Sequence, residues 1–206
     1  GNAGSVVVNA GTLSLQDHGT ISTDTLGPGN GGSVLVSASS LSLSSDAEIS
    51  ATSGLQATGS AGNITVQAGN LTLSTNSIIA SNTFGVGNAG NVNVTATELT
   101  LSTNGVISAS TLGSGKGGDV NIAVSDHLTM ADATSDLAAV TNGSGNSGNV
   151  TVSAGSLTIG PGASIVADTA AAGNAGVVSV TVAGNIAITG ARDELTGISS
   201  RADPGS

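Results

Sequence analysis

The stretch GNAGNVNV, residues 87–94, decides how the whole chain is read. It sets two glycines around an asparagine and then alternates valine with asparagine. The phrase recurs as GNAGSVVV (1–8), GNGGSVLV (29–36), GSAGNITV (59–66), GKGGDVNI (115–122), GNSGNVTV (145–152) and GNAGVVSV (173–180). Successive leading glycines are 28 or 30 residues apart throughout. A fixed period of this size marks stacked repeats, whose units bury their apolar faces only against one another.

Aligned on that first glycine, the fourth position is also glycine in every unit: Gly4, Gly32, Gly62, Gly90, Gly118, Gly148 and Gly176. Glycine reaches positive φ without steric cost, so the phrase is expected to be a sharp corner. The second position is Asn2, Asn30, Ser60, Asn88, Lys116, Asn146 and Asn174. Five asparagines in one column predict a ladder of stacked side-chain amides.

A β pattern follows each corner. Val6/Val8, Val34/Val36, Ile64/Val66 and their equivalents alternate with Ser, Thr and Asn, as a strand with one buried face does. A second pair comes about seven residues later (Leu13/Leu15, Leu41/Leu43, Leu71/Leu73), and a third apolar column at Ile21, Ile49, Ile79, Ile107 and Ile165. Leu26, Leu55, Phe84, Leu112, Val140 and Ile198 close the unit as a weaker apolar column. The predicted fold is all-β: a right-handed parallel β-helix (β-solenoid) of about seven coils of 28–30 residues, with three short strands per coil. At ~4.8 Å per strand spacing it would be roughly 34 Å long. The extra residues of the 30-residue units, near TSGLQATG (52–59) and SDHLTMADATSDL (125–137), are expected as corner loops. Residues 1–190 form the repeat region. Residues 191–206 lose the third strand and gather Arg192, Asp193, Glu194, Arg201 and Asp203, so they read as a degenerate last coil or a boundary segment.

Composition narrows the function. Charged residues make up 8% of the chain, and the net charge is −10 from three basic and thirteen acidic residues. Nucleic-acid binding needs Lys and Arg for the phosphates, which are almost absent here. An anionic membrane surface is disfavoured on the same ground, and no apolar run reaches the ~20 residues of a membrane helix. There is no cysteine, so thiolate metal sites and disulfides are ruled out. The chain begins in mid-pattern with no signal peptide visible, and it is expected to be an excised piece of a longer one.

No catalytic, cofactor-binding or metal-ligating residues are assigned. The pairs Asp17–His18 and Asp126–His127 suggest Ser-His-Asp chemistry, but they lie four coils apart at different positions of the unit and read as solvated corner residues. Asp126, Asp132 and Asp136 are the densest acidic group, a weak calcium candidate. Lys116, Arg192 and Arg201 are too scattered to partner clustered carboxylates. Asn63, Asn70, Asn93, Asn142 and Asn149 match the N-glycosylation pattern, which a repeat of alternating Asn, Val and Thr produces by accident.

The unit GNAGNVNVTATELTLSTNGVISASTLGS (87–114) resembles the repeats of filamentous-haemagglutinin-type exoproteins exported by two-partner secretion in Gram-negative bacteria, large cyanobacterial surface proteins in particular. The likeness covers the chain up to about Gly190. It implies a secreted or cell-surface β-helical stalk or adhesin, associated with adhesion and biofilm, and implies no enzyme. Its partners would be the preceding and following coils of a parent chain, and surface glycans or other cells. End-to-end self-association through the amino-terminal coil is expected of an isolated segment. The alternatives are a β-helical carbohydrate-active enzyme domain and the spacer stalk of a toxin-delivery exoprotein.

Overall fold

The computed structural model describes residues 1–132, 134–190 and 196–202. The described residues hold strands, bridges and turns but no helix, wound into a parallel β-solenoid of six regular turns and an irregular seventh. Each regular turn contributes one long strand: β1 (Val6–Leu15), β3 (Val34–Leu43), β5 (Ile64–Leu73), β7 (Val92–Leu101), β9 (Val120–Met130) and β11 (Val150–Ile159). Each also contributes one three-residue strand: β2 (Thr20–Ser22), β4 (Glu48–Ser50), β6 (Ile78–Ala80), β8 (Val106–Ser108), β10 (Asp136–Ala138) and β12 (Ser164–Val166). The seventh level holds β13 (Val178–Val182), β14 (Ile186–Ile188) and β15 (Gly197–Ser199).

The first two apolar pairs of the sequence pattern share the long strand, which carries a corner in its middle. In β3, Val34, Val36 and Ala38 point inward, then Leu41 and Leu43 do, with Ser39 and Ser40 between them. Strict alternation would have placed the next inward residue at position 40, so the two halves meet the core from different directions. The third pattern element is the short strand, and the turn then closes on a column of single parallel bridges, Thr25–Ser53–Thr83–Thr111–Thr141–Thr169. Pairing runs like over like: Leu41 stands between Leu13 and Leu71, and Ile49 between Ile21 and Ile79. The core is a continuous column of Val, Leu, Ile and Ala, with Leu43, Leu73, Leu101 and Met130 fully enclosed.

The glycine corner is tight for a different reason from the one expected. Among the described residues the glycines at positive φ are Gly162 and Gly197, and none belongs to the repeated phrase. What excludes a side chain is the coil beneath. A Cβ on Gly90 would lie 2.6 Å from the Gly62 carbonyl carbon and 2.7 Å from Ser81 Oγ, closer than any real Cβ contact. Gly32, Gly62, Gly118, Gly148 and Gly176 likewise abut the glycine carbonyl one coil away. Only hydrogen lets the backbones stack at strand spacing there.

Positive φ falls instead at the corner after the long strand, on paired residues that are not glycine: Asp17 and His18, Ser45 and Asp46, Thr75 and Asn76, Thr103 and Asn104. Asn and Asp tolerate this region, whereas the β-branched Thr75 (φ 53°) and Thr103 (φ 47°) are strained in it.

The amide ladder also takes another form. The side-chain oxygens of Asn2, Asn30, Asn88 and Asn146 accept the backbone N–H of the next coil: Asn30 N to Asn2 Oδ1 at 2.9 Å, Ser60 N to Asn30 Oδ1 at 2.9 Å, Lys116 N to Asn88 Oδ1 at 2.8 Å, Asn174 N to Asn146 Oδ1 at 2.9 Å. Lysine has no acceptor, so Lys116 does not continue the run. A second ladder, not foreseen, occupies the fifth position, where Asn63, Asn91, Asp119 and Asn149 each accept the N–H above at 2.8–2.9 Å. Among the described residues, side-chain amides bond directly from Asn104 to Asn76 and from Asn121 to Asn93, both at 3.0 Å.

The third strand of the seventh coil was expected to be lost, and it is present. β15 pairs with β12 and places Ile198 on Ile165, and Thr196 Oγ1 accepts the Gly162 N–H at 2.8 Å. The solenoid therefore continues through residues 196–202, while Arg192, Asp193, Glu194 and Asp203 lie outside the described residues.

Candidate functional site

The last apolar column of the sequence pattern faces outward. Inward alternation runs through Ala47, Ile49, Ala51 and Ser53, and the Ser53 column is buried. The residue after it must then point to solvent. Leu26 is 82% exposed and Leu55 80%, with Phe84 and Leu112 also exposed. Phe84, Leu112, Asn142 and Ala170 are structural equivalents, since each donates its N–H to the carbonyl of the bridge residue one coil below. Gly54 holds that place in the second coil, and its missing side chain leaves room for Leu26, whose Cδ2 lies 3.0 Å from where a Cβ would be. The two extra residues of that unit carry Leu55 outward beside it.

Across from this stripe, the outward positions of the short strands are Thr20, Glu48, Ile78, Val106, Asp136 and Ser164. Between the two rows, Ser50, Ala80 and Ser108 also face away from the core, yet they are almost wholly covered. The short-strand sheet and the last corner thus form a trough parallel to the solenoid axis. Its first part is a cavity of about 460 Å³ lined by Leu26, Leu55, Phe84, Ile78 and Ala80, with Asp24, Glu48 and Asn82 among its polar residues. Asp24 Oδ1 accepts Ser50 Oγ (3.2 Å) and Thr52 N (2.9 Å), and Asn82 Oδ1 accepts Ser108 Oγ (3.2 Å) and Ser110 N (2.9 Å). These bonds tie up the hydroxyls between the rows.

The residues that suggested chemistry in the sequence are placed as follows. His127 sits at the mid-strand corner, where the fifth unit has one extra residue and the register of β9 against β11 shifts. Its Nδ1 lies 2.6 Å from Asp126 Oδ1 and 3.2 Å from Ser156 Oγ. A catalytic triad needs carboxylate and hydroxyl on opposite ring nitrogens, and here both meet the same one. Asp17 and His18 occupy a positive-φ corner of the first coil, far from this cluster in the stack.

The acidic trio is not brought together. Asp126 pairs with His127; Asp132 Oδ1 accepts the Thr103 N–H at 2.6 Å; Asp136 Oδ1 accepts Ser164 Oγ at 2.6 Å. Among the described residues no three of His, Asp and Glu converge as metal ligands would. Burial raises the Asp136 carboxyl above its usual range, against the opposing pull of the Ser164 hydroxyl and N–H. Of the glycosylation matches, Asn63 and Asn149 spend their side-chain oxygens on the ladder and Asn93 on Asn121. The trough was missed because the sequence pattern shows which residues recur and not which side they face.

Among the described residues, fold and surface together define a parallel β-solenoid repeat protein with an apolar trough along one side of a largely polar exterior. No protein-family model matches the chain, and neither curated proteins nor solved structures yield a match.

Proposed function

We propose that the chain is a rigid structural segment of a secreted or surface-displayed filament, acting as stalk or adhesin. The observation that carries this reading is the like-over-like register of both sheets across six coils, reinforced by side-chain ladders on the outside. Every strand adds to the same axis, so the natural product of more repeats is a longer rod. The resemblance of the repeated unit to filamentous-haemagglutinin-type exoproteins supports the same reading, including export from a Gram-negative cell and partners met through outward Ser, Thr and Asn side chains. Scattered carboxylates and the His127 geometry favour it over a carbohydrate-active enzyme.

The test is labelling of intact and of permeabilised source cells with antibodies raised against this chain. Signal on intact cells or in shed filaments is expected. Signal confined to permeabilised cells would overturn the proposal.

A further inference from the structure

Most outward positions on this solenoid are Ser, Thr, Asn and acidic residues, with exposed valines such as Val7, Val86 and Val177 scattered among them, whereas the trough gathers its apolar side chains in one place. It holds the single phenylalanine of the chain, with Leu26 and Leu55 beside it and Ile78 opposite. Leu112 and Val106 extend it by one coil, and Asn142 and Asp136 close it at the next. From Leu26 to Leu112 is three coil steps, ~14 Å at strand spacing. The site is therefore straight, apolar and of finite length.

We infer that this trough binds the alkyl chain of a cationic amphiphile, laid along the solenoid axis with its positive head beside Asp24 and Glu48. Three observations select this occupant. The hydroxyls of Ser50 and Ser108 are already bonded to Asp24 and Asn82, so a peptide backbone or sugar lying there would leave polar groups unmet. Among the described residues, two carboxylates and no Lys or Arg line the cavity, which disfavours an anionic head and favours a cationic one. A second copy would bring together two surfaces of chains carrying −10 each.

The experiment is calorimetric titration of the whole chain with alkyltrimethylammonium and alkyl sulfate of equal chain length, both below their micelle concentrations. One-to-one binding of the cation is expected, at least tenfold tighter than the sulfate. Removing two methylenes should weaken it roughly tenfold. Phe84→Ser and Leu55→Ser change exposed side chains, so the fold persists by circular dichroism while binding falls at least about fivefold. Glu48→Gln should narrow the gap between the two head groups. Equal binding of cation and sulfate, or binding indifferent to Phe84→Ser, would overturn the inference. So would a concentration-dependent dimer that Leu55→Ser disperses, since that assigns the face to a second copy.

Discussion

Replacing Gly90 by alanine separates two explanations of the repeated phrase. The new Cβ would sit 2.6–2.7 Å from the Gly62 carbonyl carbon and Ser81 Oγ, and carbon needs ~3.5 Å, so the coils must part locally by about 1 Å. That movement breaks the bonds from Gly90 N to Ser81 Oγ (3.0 Å) and from Ser81 Oγ to Gly62 O (2.6 Å). It also stretches those from Ala61 N to Asn88 O (2.9 Å) and from Asn91 N to Asn63 Oδ1 (2.8 Å). Two or three bonds at ~1 kcal/mol each, with a buried polar group left unmet, amount to ~3–5 kcal/mol. For a chain of this size that lowers Tm by about 10 °C. Asn91→Ala loses only the acceptor for the Asp119 N–H (2.9 Å), ~1 kcal/mol, and is the milder control. Gly4 is the sharper one, because it occupies the same place in the repeat with nothing within 4 Å of its Cβ direction. Gly4→Ala should leave Tm within a degree or two. Thermal unfolding followed by circular dichroism reads all three. Equal losses at Gly4 and Gly90 would refute close approach and restore a conformational demand on the glycine itself.

At the strained corner, Thr103→Asn exchanges a β-branched residue at φ 47° for one that tolerates the left-handed region, and its N–H keeps Asp132 as acceptor. A gain of ~1 kcal/mol is expected in chemical denaturation, and a loss would contradict the strain. Asp136 has a folded pKa above its unfolded value, so its charged form is penalised in the fold at neutral pH. That penalty is relieved as pH falls through the raised folded value, and is gone below the unfolded one. Asp136→Asn, which can still accept from Ser164 Oγ, should stabilise the protein at pH 7. It should also remove this residue's share of the gain on acidification, read as Tm against pH.

The fold was legible because a solenoid writes its third dimension into its period. Val34 over Val6 and Leu71 over Leu41 could be paired by counting residues. Counting could not say why Gly90 is glycine, since a left-handed turn and a backbone pressed against Gly62 call for the same residue. Nor could it locate the left-handed corners, where Asp17, Ser45, Thr75 and Thr103 look like ordinary polar variation. Leu26, Leu55, Phe84 and Leu112 recur as an apolar column, and recurrence alone does not say which side a residue faces. Parity from the buried Thr25 and Ser53 places the next residue outward, but that phase is visible only once the bridge column is known. The trough depends on those outward leucines and on Gly54 making room for Leu26, a contact between residues in adjoining coils.

The like-over-like register has a genetic consequence. A coil from Gly87 to Ser114 presents upward the same columns that the coil before it presents, so excising it would set Gly115 where Gly87 had been. Nothing in the core would need redesign, and the rod would shorten by one strand spacing, ~4.8 Å. Unequal crossing-over between such repeats can thus lengthen or trim the molecule in whole plates without passing through an unfolded intermediate sequence. Units of 30 residues fit the same stack because their surplus is absorbed at corners, as Leu55 and His127 are. Reach becomes a heritable quantity that varies in steps, while surface novelty collects at the corners where the plates tolerate extra length.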